Sequence, residues 1–430
     1  MTPISSKLAI DGGPPAKTTP NIPMYPGGNE IGEEEKREVL DTLDKKYLFR
    51  YCRPQGLASK TSAFEKCIAD MIGCRYALAT NACTSALISS LTACGVGPGH
   101  EVIVPAFTYW SSASAALCCR AVPIVAEIDD SGTLDPDDFE RKITPRTRAV
   151  IPVHMRGSPC DMDRIMDIAQ RHKLAVIEDN AQACGGTYKG KYLGSFGDCG
   201  CFSFQYYKII TTGEGGMVTT NDESLYVKAQ MVHDSAVCWR PDRFAPARFP
   251  GELFWGYDFR MSEVEGALGL AQFRRLPGLL ERMRSRKGRI VAGLEDLVAK
   301  GITPRRQIDP EGDTGICIMF MLPTVELSEQ FVRALAAEGV DVMHPYHEDI
   351  PDWHVAHHWR HMIDLVTPTP EGYPYRDPAR SGQPPSYRDL CPKSADILSR
   401  MVHINVPPQM TDTDCDMVAT AVRKVTHAYL

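Results

Sequence analysis

The sequence predicts an α/β protein built on a mostly parallel sheet, with a smaller α+β domain at its carboxyl end. The chain has 430 residues and is 43% hydrophobic, which suffices for one large domain and a smaller one. From about residue 60 to 235, short β-rich runs alternate with helical patterns, as they do in βαβ units. A long helical stretch over about 262–300 then leads to the smaller domain. The predicted divisions are an extended arm over 1–30, a large domain over 31–270, and a connecting helix with the small domain over 271–430.

The individual elements follow from these patterns in chain order. A polar helix is predicted over 33–45, after the Pro- and Gly-rich arm. Strands are predicted in the large domain at 76–80, 101–105, 122–127, 149–154, 174–178 and 199–204. Helices are predicted there from about 84, at 111–119, from 135, and near 161–171. In the small domain, the predicted strands are 315–322 and 340–343, the predicted helices are 326–338 and 412–427, and 364–392 is predicted to be a long surface loop.

Composition excludes several classes of protein. The net charge of −7 comes from 54 acidic and 47 basic residues, so no basic excess is available for nucleic acid. No apolar run approaches the roughly 18 residues of a membrane span, and the amino terminus lacks an apolar signal core. We therefore expect a cytoplasmic protein whose 15 cysteines are reduced and mostly buried.

An acidic strand end in LAVIEDNAQ, residues 174–182, is the first candidate for chemistry. An apolar strand brings Asp179 to its end, and Gln182 follows. A buried carboxylate there can pair with the protonated nitrogen of a pyridine ring and keep that ring electron-withdrawing. The competing interpretation is an Asp that caps the following helix.

A single lysine after a β-run is the second candidate. GCFSFQYYKIITTGEGG, residues 200–216, leads through Lys208 into a Gly-rich turn. Burial among aromatic and apolar side chains lowers the pKa of an amine, which suits a nucleophile that forms a Schiff base. The competing interpretation is an ordinary lysine whose amine reaches solvent. Ser203 upstream and GEGG downstream favour a cradle for a ring and a phosphate.

Two further strand ends carry weaker signals. TNACTSAL, residues 80–87, places small and hydroxyl residues where a strand turns into a helix, and a free helix N-terminus binds phosphate. Taken alone, this segment is better explained by a simple Thr or Ser N-cap. PAFTYW, residues 105–110, offers Tyr109 or Trp110 for stacking on a flat heterocycle, although such aromatics are mostly core residues.

These four segments, in this order, resemble the DegT/StrS family of sugar aminotransferases, which have the aspartate-aminotransferase fold (pyridoxal-phosphate fold type I) with a seven-stranded sheet. The similarity runs from IDGGPPA near the start, through VIPVHMRGSPCDMD and EDNAQACGGTYKGKYLGSFGD…FSFQYYKIITTGEGG, to YDFRMSEVEGALGLAQFRRL at 257–276. It implies that pyridoxal 5'-phosphate is the cofactor. It also implies a homodimer with active sites at the subunit boundary.

The resemblance implies a role for each matching residue. Lys208 forms the Schiff base and moves the proton, Asp179 holds the pyridine nitrogen, Gln182 contacts the ring face or phenolic oxygen, and Tyr109 stacks on the ring. The amino donor is glutamate or glutamine and the acceptor is a keto or aldehyde sugar, so ping-pong kinetics are expected. Arg50, Arg53 and Arg156 are candidates for binding the donor carboxylate.

The implied phosphate site contains two departures from the family pattern. Thr84 and Ser203 bind phosphate, with backbone help near Ser85. Cys83 stands where the family usually has Gly, which puts the close backbone approach in doubt. Asp258 stands where an Asn usually reaches the phosphate of the partner subunit, and a carboxylate there repels a phosphate dianion.

The final third is most similar to the branch that installs an 8-amino group on an eight-carbon keto acid sugar. The segments that carry this similarity are DPEGDTG at 309–315, FMLP at 320–323 and CPKSADILSR at 391–400. VIPVHM-like text also occurs in aminocyclitol aminotransferases and aminohydroxybenzoate-forming lyases, so these remain alternatives. A non-enzymatic, cofactor-binding regulator is a further alternative. It predicts an appended DNA-binding helix-turn-helix or basic tail, and the sequence contains neither.

A histidine-rich segment, HPYHEDIPDWHVAHHWRH at 344–361, carries six histidines. His354, His357, His358 and His361 share a face if the segment is helical, and imidazoles at that spacing can bind zinc. No Cys or carboxylate ligand is obvious downstream. We therefore expect a substrate-facing polar loop and no metal.

Overall fold

The computed structural model describes residues 7–51, 57–236, 246–248, 251–380 and 383–430. Helices and strands alternate along much of this described chain. The strands of the amino-terminal part are β1 (Tyr76–Thr80), β2 (Glu101–Pro105), β3 (Val122–Ala126), β4 (Thr147–Val150), β5 (Ala175–Asp179), β6 (Thr187–Tyr188), β7 (Lys191–Tyr192), β8 (Cys199–Ser203) and β9 (Gly216–Thr220). Its helices are α1 (Glu33–Asp44), α2 (Lys60–Ile72), α3 (Cys83–Ala93), α4 (Ser111–Cys118), α5 (Pro136–Arg141), α6 (Met162–His172) and α7 (Glu223–His233). The later strands are β10 (Thr303–Pro304), β11 (Cys317–Met321), β12 (Val342–Met343) and β13 (Met401–Asn405). The later helices are α8 (Glu263–Ala292), α9 (Val325–Ala337), α10 (Arg360–Ile363), α11 (Pro392–Ser399) and α12 (Asp412–Tyr429).

Seven strands of the described chain form one sheet, in the order β1-β9-β8-β5-β4-β2-β3. β9 runs antiparallel to both of its neighbours, and the other six strands share one direction. The predicted mostly parallel sheet is therefore confirmed. A second, antiparallel sheet of four strands, β10-β11-β13-β12, belongs to the carboxyl-terminal part.

The long helix α8 connects the two parts and is shorter than predicted. Its start is fixed by a capping box, in which Ser262 N–H donates to the Glu265 carboxylate at 2.7 Å and Glu265 N–H donates to Ser262 Oγ at 3.3 Å. The helix ends before Gly293, where a Cβ atom would lie 2.8 Å from that of Ala419 on α12, and a 3₁₀ turn follows over Glu295–Lys300. None of the helices in the described part of the chain combines the length and apolar character that crossing a bilayer requires.

One strand prediction needs correction, and several strands, among them the two-residue strands β6, β7 and β10, were not predicted. The strand predicted over 149–154 ends at Val150 as part of β4, because Pro152 has no N–H to donate to a neighbouring strand. Beyond it, a single bridge joins Val153 to Asp179. β9 and β13 were not predicted, since each is a short run beside glycine or proline residues.

The prediction of a surface loop over 364–392 is wrong for its second half. Tyr375, Tyr387 and Cys391 are buried in the main core. The Tyr387 hydroxyl donates to the carbonyl of Pro123 at 2.7 Å, and the Cys391 thiol donates to a second carbonyl of β3. This segment therefore covers β3, the last strand of the large sheet, whose outer carbonyls need donors.

The amino-terminal arm packs on the small domain. Leu8 is buried there, and the backbone N–H groups of Ala9 and Ala16 donate to the Glu338 carboxylate at 2.8 and 2.7 Å. Lys424 pairs with the same buried carboxylate at 2.8 Å. We keep the division of the chain into an arm, a large domain and a small domain near residues 30 and 270 as a proposal.

Candidate active site

A cavity of about 740 Å³ lies where β2, β5 and β8 end and α3 begins. Its remaining walls come from residues 23–26 of the arm and from β11, β12 and β13 of the small domain. Parallel strands end on one side of a sheet, so residues distant in sequence converge there. Six of the eight predicted site residues line this cavity: Thr84, Tyr109, Asp179, Gln182, Ser203 and Lys208.

Lys208 lies in the turn after β8, where its backbone N–H donates to the Gln205 carbonyl at 2.9 Å. Within the described chain, no hydrogen bond or ion pair engages its amine. Burial lowers the pKa of Lys208, although the nearby Cys83 and Asp179 act in the opposite direction. A lysine in this state loses its proton more readily than an exposed one, and an unprotonated amine is a nucleophile.

Asp179 ends β5 and is buried. Its Oδ2 accepts a hydrogen bond from the Ser112 hydroxyl at 2.9 Å, and its Oδ1 accepts one from the Ala181 N–H at 3.0 Å. Burial raises the pKa of the carboxyl group, and these two hydrogen bonds oppose that change. A carboxylate that has lost most of its water is stabilised by a cation, which a protonated pyridine nitrogen supplies.

The N-terminus of α3 is open toward the cavity. Its N-cap residue, Ala82, has no side chain that can accept from the first backbone N–H groups. Thr84 and Ser203 add hydroxyl groups beside those N–H groups. Such a helix N-terminus is suited to a phosphate group.

A glycine in β9 lets that strand lie close to the N-terminus of α3. A Cβ atom on Gly216 would lie 2.4 Å from the carbonyl carbon of Ala82 and 2.6 Å from the nitrogen of Cys83. The close packing of β9 on the N-terminus of α3 therefore depends on Gly216. Burial raises the pKa of the Cys83 thiol, so this side chain stays neutral.

Arg156 is singled out among the three arginine candidates. Its backbone, with φ of 53° and ψ of 38°, is held by a hydrogen bond from its N–H to Gln182 Oε1 at 3.0 Å. Its guanidinium lines the cavity, and its buried Nε has no hydrogen-bond partner among the described residues. Arg50 forms a buried double contact with Glu65, so its guanidinium is engaged elsewhere. Arg53 lies outside the described residues.

Two predicted site residues lie away from the cavity of this chain. The Ser85 hydroxyl donates to Asn81 Oδ1 at 2.6 Å and is buried in α3. Asp258 is more than half exposed and pairs with Arg260, which also binds Asp234. The single chain therefore does not bring Asp258 to its own phosphate site.

Several residues that line the cavity or hold a side chain of its wall were not identified from the sequence. Ser112, which holds Asp179, belongs to the helix after Tyr109 and has no spacing signal of its own. His403 and Asn405 reach the cavity from β13, which was not predicted. Tyr25 reaches it from the arm, where its ring lies 5.0 Å from that of Tyr206.

The histidine-rich segment divides between the cavity and the core. His354 lines the cavity beside Tyr109, with ring centroids 5.3 Å apart, as expected for a substrate-facing loop. The four histidines do not share one helix, because a 3₁₀ turn at Ala356–His358 is followed by α10. Within the described residues, no three His, Cys, Asp or Glu side chains gather closely enough to hold a metal ion.

Comparison with known proteins agrees with this geometry. The model of the DegT/DnrJ/EryC1/StrS aminotransferase family matches residues 29–359. The chain belongs to this family. The GDP-perosamine synthase of Caulobacter vibrioides is 40% identical over 68% of this chain and 78% of that protein. The L-glutamine:2-deoxy-scyllo-inosose aminotransferase of Micromonospora echinospora is 34% identical over 71% of this chain and 72% of that protein. The structure of an aminotransferase from Psychrobacter cryohalolentis superimposes with a TM-score of 0.79 at 25% identity, covering 93% of this chain and 98% of that one.

Family membership confirms three predictions made from the sequence. The fold is pyridoxal-phosphate fold type I, the protein is an aminotransferase enzyme, and its cofactor is pyridoxal phosphate. The cavity fits this cofactor, because an open helix N-terminus, a buried carboxylate and an unpaired amine face the same space. The roles of the individual residues remain predictions.

Proposed function

We propose that this enzyme transfers the amino group of glutamate or glutamine to a keto or aldehyde sugar, or to a sugar acid such as an 8-oxo-octulosonate, with Lys208 as the catalytic residue. The observation that carries this proposal is the Lys208 amine, which faces the cavity without a partner among the described residues and whose pKa is lowered by burial. The similarity to GDP-perosamine synthase supports a sugar as the acceptor.

Different residues of the cavity bind the cofactor and transfer the proton during amino transfer. When bound, pyridoxal phosphate supplies an aldehyde and an electron-withdrawing ring. Lys208 Nζ accepts the proton that leaves the α-carbon of the donor, since an unprotonated amine is a general base. Asp179, held by Ser112 and Ala181, keeps a negative charge against the ring nitrogen. Thr84 and Ser203, at the open end of α3, bind the phosphate.

Arg156 binds the carboxylate of the amino donor. Glutamate and glutamine both carry an α-carboxylate, and a planar guanidinium binds such a group with two parallel hydrogen bonds. The unpaired state of Arg156 within the described chain leaves its guanidinium available for this contact.

An aminocyclitol ketone is the second candidate acceptor. It is favoured by the 34% identity to the scyllo-inosose aminotransferase of Micromonospora echinospora. The two candidates differ in charge, because the sugar acid carries a carboxylate and the cyclitol ketone does not.

We further propose that the enzyme works as a homodimer with shared active sites, as the family resemblance implies. Trp255 is 73% exposed in the single chain, and Leu253 and Tyr257 beside it are also exposed. A contiguous group of large apolar side chains near Asp258 is typical of a surface that a second subunit covers.

The test is an absorbance scan of the purified, cofactor-loaded protein before and after the addition of glutamate or glutamine. The lysine-bound cofactor absorbs visible light, and amino transfer from the donor removes that band. We expect wild-type protein to lose the band on addition of a donor. Lys208→Ala should bind the cofactor without showing the band and should lose turnover.

The matched control is Lys66→Ala, which removes an exposed lysine that pairs with Asp70 on α2. This variant should retain both the band and the donor response. Normal turnover by Lys208→Ala would refute the catalytic assignment. A wild-type band that neither donor changes would refute the proposed amino donors.

A further inference from the structure

His354 occupies a fixed position on the wall of the cavity. Residues 353–356 run alongside the loop that follows β2, and Thr108 N–H donates to the His354 carbonyl at 2.9 Å. Trp110 N–H donates to the Trp353 carbonyl, also at 2.9 Å. The small-domain side of the cavity is thereby joined to the loop that carries Tyr109, and the backbone of His354 is held beside that loop.

The imidazole has one nitrogen engaged and one open. Nδ1 of His354 lies 2.7 Å from Asp352 Oδ1, which also accepts the His354 backbone N–H at 2.8 Å. An ionised carboxylate only accepts hydrogen bonds, so Nδ1 carries the hydrogen atom and Nε2 keeps its lone pair. Burial lowers the pKa of His354, and this effect exceeds the opposite effect of Asp352. The ring is therefore neutral near pH 7, and no hydrogen bond of the described chain uses Nε2.

An open hydrogen-bond acceptor in this cavity distinguishes the two substrates of an aminotransferase. Glutamate carries no hydroxyl group, and its carboxylates offer no proton to a neutral imidazole. A sugar carries hydroxyl groups on carbons close to the carbonyl carbon that receives the amino group. His354 lines the same cavity as Lys208, which acts at that carbon.

We propose that His354, positioned by Asp352, determines specificity for the amino acceptor by accepting a hydrogen bond at Nε2 from a hydroxyl group close to the acceptor carbonyl. This inference rests on the proposed function, since it assumes a hydroxylated carbonyl compound as the second substrate. Arg156 binds the carboxylate of the amino donor, and His354 binds a hydroxyl group of the amino acceptor.

The test compares carbonyl compounds that differ only in their hydroxyl groups. Glyceraldehyde and propanal form one matched pair, and 2-deoxy-scyllo-inosose and cyclohexanone form the other. Each compound is mixed with enzyme that has already taken an amino group from its donor, and the return of the visible band gives kcat/KM. The hydroxyl preference is the ratio of kcat/KM within a pair.

We expect His354→Phe, which keeps an aromatic ring against Tyr109, to reduce the hydroxyl preference roughly 10- to 100-fold, the effect of one lost hydrogen bond to a substrate hydroxyl. The donor reaction with glutamate should change less than about threefold, because the donor has no hydroxyl group to lose. Asp352→Ala should lower the preference, whereas Asp352→Asn keeps an oxygen for Nδ1 and should retain most of it. His361→Phe is the control, since His361 packs on Trp110, with ring centroids 4.1 Å apart, and does not line the cavity.

Each outcome separates this inference from the proposed function. An unchanged hydroxyl preference in His354→Phe would overturn the role of His354 while leaving amino transfer intact. Equal losses for hydroxylated and plain compounds would also overturn it, because His354 would then act on the cofactor or on Tyr109. Failure of the wild-type donor reaction would instead refute the proposed function itself.

Discussion

Arg156→Met should have opposite effects on substrate binding and on stability. Methionine keeps an unbranched, flexible side chain but is shorter and carries no charge. Nε of Arg156 is buried without a hydrogen-bond partner among the described residues, and burial lowers the pKa of the guanidinium. The free enzyme therefore bears the cost of a poorly solvated charge, and substrate binding recovers that cost.

The magnitude follows from the two hydrogen bonds that a carboxylate forms with a guanidinium. Each charge-assisted bond contributes about 1.5–3 kcal/mol, so their loss costs about 3–6 kcal/mol. Since 1.4 kcal/mol corresponds to a factor of ten, kcat/KM for glutamate should fall by about 10²- to 10⁴-fold. The free energy of unfolding of the cofactor-free protein should rise by about 1–2 kcal/mol, because no ion pair is lost in the described chain.

Single-turnover loss of the visible band at several glutamate concentrations measures the first effect, and urea denaturation of cofactor-free protein measures the second. Arg164→Met is the matched control, since Arg164 is half-exposed on α6 and pairs with Asp137. It should leave kcat/KM for glutamate unchanged. The reasoning fails if Arg156→Met reacts with glutamate at the wild-type kcat/KM, or if it destabilises the cofactor-free protein.

Two further predictions concern packing at the phosphate end and at the arm. Gly216→Ala places a Cβ atom 2.4 Å from the carbonyl carbon of Ala82, so α3 must shift at a cost of about 1–3 kcal/mol. The dissociation constant of this variant for pyridoxal phosphate, measured by titration, should rise about tenfold or more. A wild-type dissociation constant would argue against phosphate binding at the N-terminus of α3. Glu338→Gln leaves the buried Lys424 without its charged partner and should lower the free energy of unfolding by about 3–5 kcal/mol in urea denaturation. A loss below about 1 kcal/mol would show that the Glu338–Lys424 ion pair contributes little to the stability of the fold.

The sequence predicted the catalytic side of the cavity because local patterns determine it. Apolar runs that end in Asp179 or in Ser203 are strands whose carboxyl ends must meet at one side of a parallel sheet. Once the sheet is known, Lys208 and the N-terminus of α3 have to lie close to them. Periodicity and strand direction placed these segments at one side of the sheet, and the family resemblance then selected Lys208 and Asp179 among them.

The contacts that join distant elements around the cavity could not be predicted in the same way. Ser112 meets Asp179 through a contact between residues that are distant in sequence, and no spacing rule connects them. His354 was one of six histidines in its segment, and only its pairing with the loop after β2 distinguishes it from the others. His403 went unnoticed because its strand was not identified. Contacts between elements decide these positions, and a single sequence does not record them.

The arm packs on the small domain, whereas residues 375–391 pack on the edge of the large sheet. These contacts affect the order in which the protein can fold during synthesis. The arm leaves the ribosome long before its partners, Glu338 and the core around Leu8, which belong to the small domain. All seven strands of the large sheet have been synthesised once β9 emerges. The carbonyl of Pro123 on the edge strand β3, however, accepts its hydrogen bond from Tyr387, which is synthesised much later. Domains usually fold as units while the chain grows, from the amino terminus onward. Here the edge strand β3 stays uncovered until residues 375–391 have been translated, and an open sheet edge is where a nascent chain is most exposed to wrong pairing.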